Sequence, residues 1–198
     1  MRRATATRKS KETNVTVTLN LDGNGATSVK TGIPFLDHML TLLGTHGLFD
    51  LAVKATGDLQ VDRHHTNEDI GLVLGQAFDK ALGERKGITR FGFAYVPMDE
   101  ALARVVLDIS GRPKLVLRDA RGVHPEFSSS TDYSWGDAEH FLESFVRTSK
   151  ITLHIDVLAG ADFHHTCEAV FKALGRALEQ ATRLHPRVKG IPSSKGRL

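Results

Sequence analysis

The octapeptide Asp62-Arg63-His64-His65-Thr66-Asn67-Glu68-Asp69 returns 100 residues later as Asp162-Phe163-His164-His165-Thr166-Cys167-Glu168-Ala169, identical at five of eight positions. In a chain of 198 residues that offset is half the length, so one plan is built twice. Each block opens a stretch of helical apolar spacing: Ile70, Val73, Leu74, Ala77, Phe78 and Ala81 in the first, Val170, Phe171, Leu174, Ala177 and Leu178 in the second. A strand-like run precedes each block, Leu51 to Ala55 and Ile151 to Val157. Further upstream, Phe35-Leu36-Asp37 and Phe141-Leu142-Glu143 sit on amphipathic helical patterns in corresponding places. Glu12 to Gly23 lines up with Glu100 to Gly111 at an offset of 88, both alternating like half-buried strands and closing on a glycine turn. Each half is expected to run strand, strand, helix, strand, helix. The division falls near Gly87 to Arg90, giving residues 1–89 and 90–198 as halves of one compact protomer. The fold class this predicts is α+β by internal duplication, with mixed sheets and helices packed on one face.

Hydrophobic residues at 40% and charged residues at 25% are ordinary for a globular chain and argue against disorder. No apolar run approaches the roughly 20 residues of a membrane helix, and the basic N-terminus lacks the apolar centre of an export signal. The lone Cys167 cannot form an internal disulfide, which fits a reducing compartment; a soluble cytoplasmic protein with no membrane partner is expected. Of the 26 basic residues, ten lie in two acid-free tails, residues 1–11 and 183–198, leaving 16 against 23 acidic ones in the body. That body, with only two Tyr and one Trp in the chain, does not read as a nucleic-acid surface. The tails read as solvated, or as segments that close over a small anionic ligand.

His64, His65 and Glu68 stand at i, i+1 and i+4 at a helix start, and His164, His165 and Glu168 repeat the spacing. On a helix i and i+4 share a face, while neighbours diverge by about 100°. One histidine of each pair can therefore join its glutamate, leaving the other for a second site. His38 and His140, on the earlier helices, add two imidazoles. They are not aligned with each other, since Ser144 falls opposite His38, but His140 lies one turn from Ser144 on the same face. Six histidines and two glutamates, divided evenly, offer each of two metals three imidazoles and one carboxylate, a set suited to Mn, Fe, Zn or Ni rather than Mg or Ca. His46 is on the face of His38 and could line the site; His124, His154 and His185 read as structural or exposed. Neither block has the His-Glu-x-x-His spacing of zinc hydrolases, and no phosphate-loop or Gly-x-Gly-x-x-Gly motif is present. Cys167 is matched by Asn67 in the other block and reads as a small helix residue.

Nearly the whole chain resembles the imidazoleglycerol-phosphate dehydratase family, the lyases of histidine biosynthesis. The resemblance is carried by Lys11-Glu12-Thr13, Leu21-Asp22-Gly23, Thr31 to Leu40, Ala55 to Asp58, His64 to Gly71, Met98 to Leu102, Ser110 to Pro113, Thr152 to His154, His164 to Glu168 and Ser193 to Gly196. It implies two Mn2+ ions per active site, held by His38, His64, His65, Glu68, His140, His164, His165 and Glu168. It implies a duplicated, ribosomal-protein-like α+β half, and self-association through trimers into a 24-subunit shell with metal sites at subunit contacts. One protomer alone would then lack a complete site.

The resemblance also implies the chemistry, conversion of imidazole-glycerol phosphate to imidazole-acetol phosphate and water. The carbon proton to be removed has no neighbouring carbonyl to acidify it. A ring held by a metal at each nitrogen becomes an imidazolate, which expels the side-chain hydroxyl; the diazafulvene-like intermediate then loses the carbon proton and the enol tautomerises. Glu12 matches the family's catalytic carboxylate and is expected to move the proton. Substrate binding falls to Glu12, His38 and His46, with Arg90, Arg112, Ser193, Ser194 and Lys195 on the phosphate. Glu100 is the repeat counterpart of Glu12, and its role is left open. A histidine-rich metal store, or an RNA-binding module using the basic tails, would explain parts of the pattern but not Glu12, the arginines and Ser-Ser-Lys together.

Overall fold

Val15, Val17 and Leu19 are buried while Asn14, Thr16, Thr18 and Asn20 between them are not, the period-two pattern of a strand with one face on a core. They form β2 (Thr13–Asn20) of the computed structural model, which describes residues 2–120, 122, 124–127, 129 and 131–198. The same alternation, with Ala101, Ala103, Val105 and Leu107 inward, makes β6 (Ala101–Asp108). Around β2 lie β1 (Arg3–Lys9), β3 (Thr27–Lys30) and β4 (Asp50–Gly57) in the order β1-β2-β4-β3, antiparallel except for the parallel pair β3–β4. Around β6 lie β5 (Phe91–Met98), β7 (Lys114–Asp119) and β8 (Thr152–Ala159) in the order β5-β6-β8-β7, again with only β7–β8 parallel. The two mixed sheets are topological copies. Each contains one strand more than expected, because β3 and β7 are short edge strands without a clear buried face.

Among the described residues four helices accompany the sheets: α1 (Pro34–His46), α2 (His64–Leu82), α3 (Trp135–Ser149) and α4 (Phe163–Thr182). Pro34 opens α1 where its missing N–H costs nothing. Ser134 and Asp137 close a capping box at the start of α3, and the Asp162 carboxylate accepts the His165 N–H to cap α4. Each helix packs on its own half's sheet and against a helix of the other half, α1 on α4 and α2 on α3. Glycine makes these crossings close. A Cβ on Gly75 would stand 2.5 Å from the Phe145 carbonyl oxygen of α3, and one on its repeat equivalent Gly175 would stand 2.5 Å from the Leu43 oxygen of α1.

The chain end returns to the junction between the halves. Gly87 and Thr89 donate backbone hydrogen bonds to Gly190 and Arg183, and Ile88 bridges Leu184. Among the described residues no helix is long and apolar enough to cross a membrane.

Candidate metal centre

Both repeated blocks place their histidines on the first turn of a long helix, and the opposing helix supplies a third ligand. At α4, His164, Glu168 and His38 of α1 offer ligand atoms all within 4.8 Å of one another. Glu168 Oε1 stands 3.0 Å from both His38 Nε2 and His164 Nε2. Phe35 fixes the helices here, stacking on Phe163 at 5.3 Å and meeting the His164 ring edge-on at 5.1 Å. At α2, His64, Glu68 and His140 of α3 form the second group within the same 4.8 Å limit. The His64 and His140 rings stack at 4.2 Å. A buried lock holds α3 over α2: Tyr133 donates to Asn67 Oδ1 at 2.9 Å, and Asn67 Nδ2 donates to the Asp137 carbonyl at 2.8 Å.

The expected pairing of one histidine with its glutamate holds in both blocks, His64 with Glu68 and His164 with Glu168. What the sequence left open is which early helix serves which block. The halves are crossed, His38 reaching the second block and His140 the first. Within one chain each group therefore has two imidazoles and one carboxylate. His65 and His165 lie outside both, on separate carboxylates: His65 Nδ1 is 3.0 Å from Asp58 Oδ2, and His165 Nδ1 is 2.8 Å from Glu100 Oε2. These contacts raise the pKa of both rings.

Burial works against the charge of Glu168, but hydrogen bonds from Lys172, at 2.7 Å, and His38 outweigh it and hold the carboxyl down to about 2. A carboxylate kept ionised beside two imidazoles suits a divalent cation. In the other group His140 Nδ1 is buried and, among the described residues, has no hydrogen-bond partner. Nitrogen and carboxylate donors in this proportion match a first-row transition metal.

Glu12 is 59% exposed at its side chain, with Oε2 3.9 Å from His65 Nδ1. Arg90 donates to Asp108 from Nε at 2.7 Å and Nη2 at 3.0 Å, and to the Pro192 carbonyl from Nη1 at 2.8 Å. That last bond sets Ser193, Ser194 and Lys195 beside it, in a turn closed by Gly196 N–H on the Ser193 carbonyl. Arg112 is exposed on the turn after β6. This arginine and tail set is at the far end of α4, where Arg90 N–H meets the Ala181 carbonyl. At 1.5 Å per residue Ala181 is about 20 Å along the helix from Glu168, so one chain does not bring these residues to its own metal ligands. His46, at the end of α1, is likewise away from His38, lining a cleft of about 400 Å³ with Phe93, Arg176 and Arg183. Burial, then Lys172 and Arg176, lower its pKa. Cys167 is buried, which pushes its thiol pKa up and keeps it unreactive.

Sequence reasoning gave no role to Asp58 or Lys172. Lys172 could have been found as the i+4 partner of Glu168. Asp58 stands in a recognised segment, but only its distance to His65 marks it.

Residues 31–178 match the family described as Imidazoleglycerol-phosphate dehydratase. The protein of that name from Chromobacterium violaceum is 53% identical over 199 residues, covering 100% of this chain and 99% of its own. The one from Pelobacter propionicus is 51% identical over 195 residues, covering 98% of each. The crystal structure of imidazoleglycerol-phosphate dehydratase from Staphylococcus aureus superposes with a TM-score of 0.80 at 35% identity, over 92% of this chain and 99% of that one. The Pyrococcus furiosus structure gives 0.81 at 35% identity, over 97% and 99%. The full-length match and the shared duplicated fold lead to one conclusion: this chain belongs to the imidazoleglycerol-phosphate dehydratase family, lyases of histidine biosynthesis.

Proposed function

We propose that the chain converts imidazole-glycerol phosphate to imidazole-acetol phosphate and water with two Mn2+ ions, in sites built on its two histidine–glutamate groups. The observation that carries this is the pair of crossed groups, His38 with His164 and Glu168, and His64 with Glu68 and His140. His65 and His165 would complete each to three imidazoles and one carboxylate in a neighbouring copy, in line with self-association through trimers into a 24-subunit shell. The buried His140 Nδ1 and the ionised Glu168 fit such ions. When bound, the ions supply electrostatic stabilisation for an imidazole ring that has lost its N–H proton.

The chain's own residues then do the rest. Glu12, exposed and without a bidentate partner, takes the proton from the side-chain carbon. The substrate phosphate is held by Arg90, Arg112, Ser193, Ser194 and Lys195; Arg90 keeps N–H groups beyond those spent on Asp108 and Pro192. Because this set lies about 20 Å along α4 from Glu168, the phosphate and ring ends of one substrate would meet different copies of the chain. His38 borders the ring end, while His46, eight residues and about 12 Å further along α1, would meet the substrate from another copy. Residues 1–89 and 90–198 act as two halves of a single unit, and the reduced, buried Cys167 fits a cytoplasmic setting.

The test is turnover of imidazole-glycerol phosphate by the purified protein with and without Mn2+, followed by absorbance of the enolised product. Mn2+-dependent formation of imidazole-acetol phosphate is expected. A metal-loaded protein that leaves the substrate unchanged would overturn the reading.

A further inference from the structure

A neutral imidazole binds a metal through the nitrogen that carries no proton, so whatever holds the other nitrogen decides whether the ring is ready. His65 and His165 are each gripped at Nδ1 by a carboxylate, at 3.0 Å from Asp58 and 2.8 Å from Glu100. A carboxylate accepts only, so in the neutral ring the proton stays on Nδ1 and the lone pair on Nε2. Among the described residues His65 Nε2 makes no hydrogen bond, and His165 Nε2 has only Asp99 Oδ2, at 3.7 Å.

The two carboxylates are not repeat equivalents. Gly57 and Gly160 do correspond, since a Cβ on either would strike the hydroxyl of the matching threonine, Thr66 or Thr166. The residue that follows is Asp58 in the first half and Ala161 in the second. Where the second half lacks that aspartate, Glu100 from the turn before β6 takes the ring nitrogen instead. Its counterpart Glu12 stays 3.9 Å from His65. The same contact has been reached from two different backbone positions, so the contact itself is what matters.

Asp58 has no competing task for its side chain. Among the described residues Oδ2 meets His65, while Oδ1 is buried with no partner. Half-satisfied burial of a carboxylate costs stability, so a purely structural role does not account for it.

We propose that Asp58 and Glu100 are positioning residues that fix His65 and His165 with Nε2 available to a metal ion on a neighbouring copy. This rests on the two-metal reading above.

The experiment is Mn2+ titration of the full chain against a competing fluorescent chelator, with thermal melts in excess chelator alongside. Asp58→Ala is expected to weaken one of the two Mn2+ ions per chain by about 10–100-fold, without lowering the metal-free melting temperature. Asp58→Asn, whose amide oxygen can accept the same N–H, recovers most of that loss. Glu100→Ala added to Asp58→Ala weakens the second ion as well. Wild-type affinity for both ions in Asp58→Ala, or no recovery in Asp58→Asn, would overturn the proposal alone. A wild-type chain that takes up no Mn2+ would overturn the metal reading and this inference with it.

Discussion

The two halves share a topology and a histidine pair but use their acidic residues differently. In the first half Asp58 holds His65, and Glu12 remains 59% exposed. In the second, Glu100 holds His165 at 2.8 Å and also accepts the Asp162 N–H at 3.0 Å. The hydrogen bond from His165, and then that from Asp162, lower the Glu100 carboxyl to about 2. A carboxylate so committed is a weak base, whereas among the described residues the Glu12 side chain has only the 3.9 Å approach to His65. With Asp58 on His65, the first half leaves its glutamate exposed, as the role proposed for Glu12 requires.

That contrast is broken most directly at Glu12. Glu12→Gln should lower kcat by about 10²–10⁴-fold, the usual worth of a positioned acid–base group, with Mn2+ affinity unchanged. Steady-state kinetics beside a metal titration separate the two, and near-normal turnover would remove Glu12 from the mechanism. Next in size, if the chain assembles as proposed, stripping the metal should dissolve the shell into smaller oligomers, since the proposal ties His65 and His165 to another copy's ligands through the metal. Sedimentation velocity before and after chelation reads this directly; an undiminished shell would place the metals away from the subunit contacts. Gly75→Ala and Gly175→Ala test whether the two crossings are equally tight. Each should cost roughly 1–3 kcal/mol of stability in urea, through the clash of the new methyl with helix backbone; a neutral result at one would show that crossing has room.

The smallest effect concerns the Glu100–His165 pair in metal-free protein. Glu100 is lowered from 4.5 to about 2, so its contribution is complete above pH 4.5 and fades as pH falls towards 2. His165 is raised from 6.5, so its contribution is complete below 6.5 and is lost as pH rises through the elevated value. The stability difference between wild type and Glu100→Gln should therefore be greatest between about pH 4.5 and 6.5 and shrink on both sides. Urea midpoints across that range would show it, and a difference that does not vary with pH would sever the pair.

Much of this was legible in the residues themselves. The 100-residue repeat gave the duplication, and i, i+4 spacing separated His64 from His65 and His164 from His165 as partners of the glutamates. Strands β3 and β7 were not foreseen, because a short edge strand with half-exposed residues leaves no alternating signature. The crossed origin of His38 and His140 could not be read either. It depends on which helices pack together, and that is set by Gly75, Gly175 and the buried Tyr133–Asn67 lock rather than by local periodicity. The engagement of Arg90 with Asp108 lies equally beyond sequence, since it joins residues from the start of β5 and the end of β6.

The crossing of the helices gives the chain an internal two-fold relation. Exchanging the halves turns the α1–α4 contact into α3–α2, so the chain has the symmetry of an isologous pair of identical subunits. A single half produced alone would hold a His-His-x-x-Glu helix without the histidine that answers it, and would find that histidine only in a twin. The present chain joins its two halves through residues 83–90, with its own C-terminus laid over the seam.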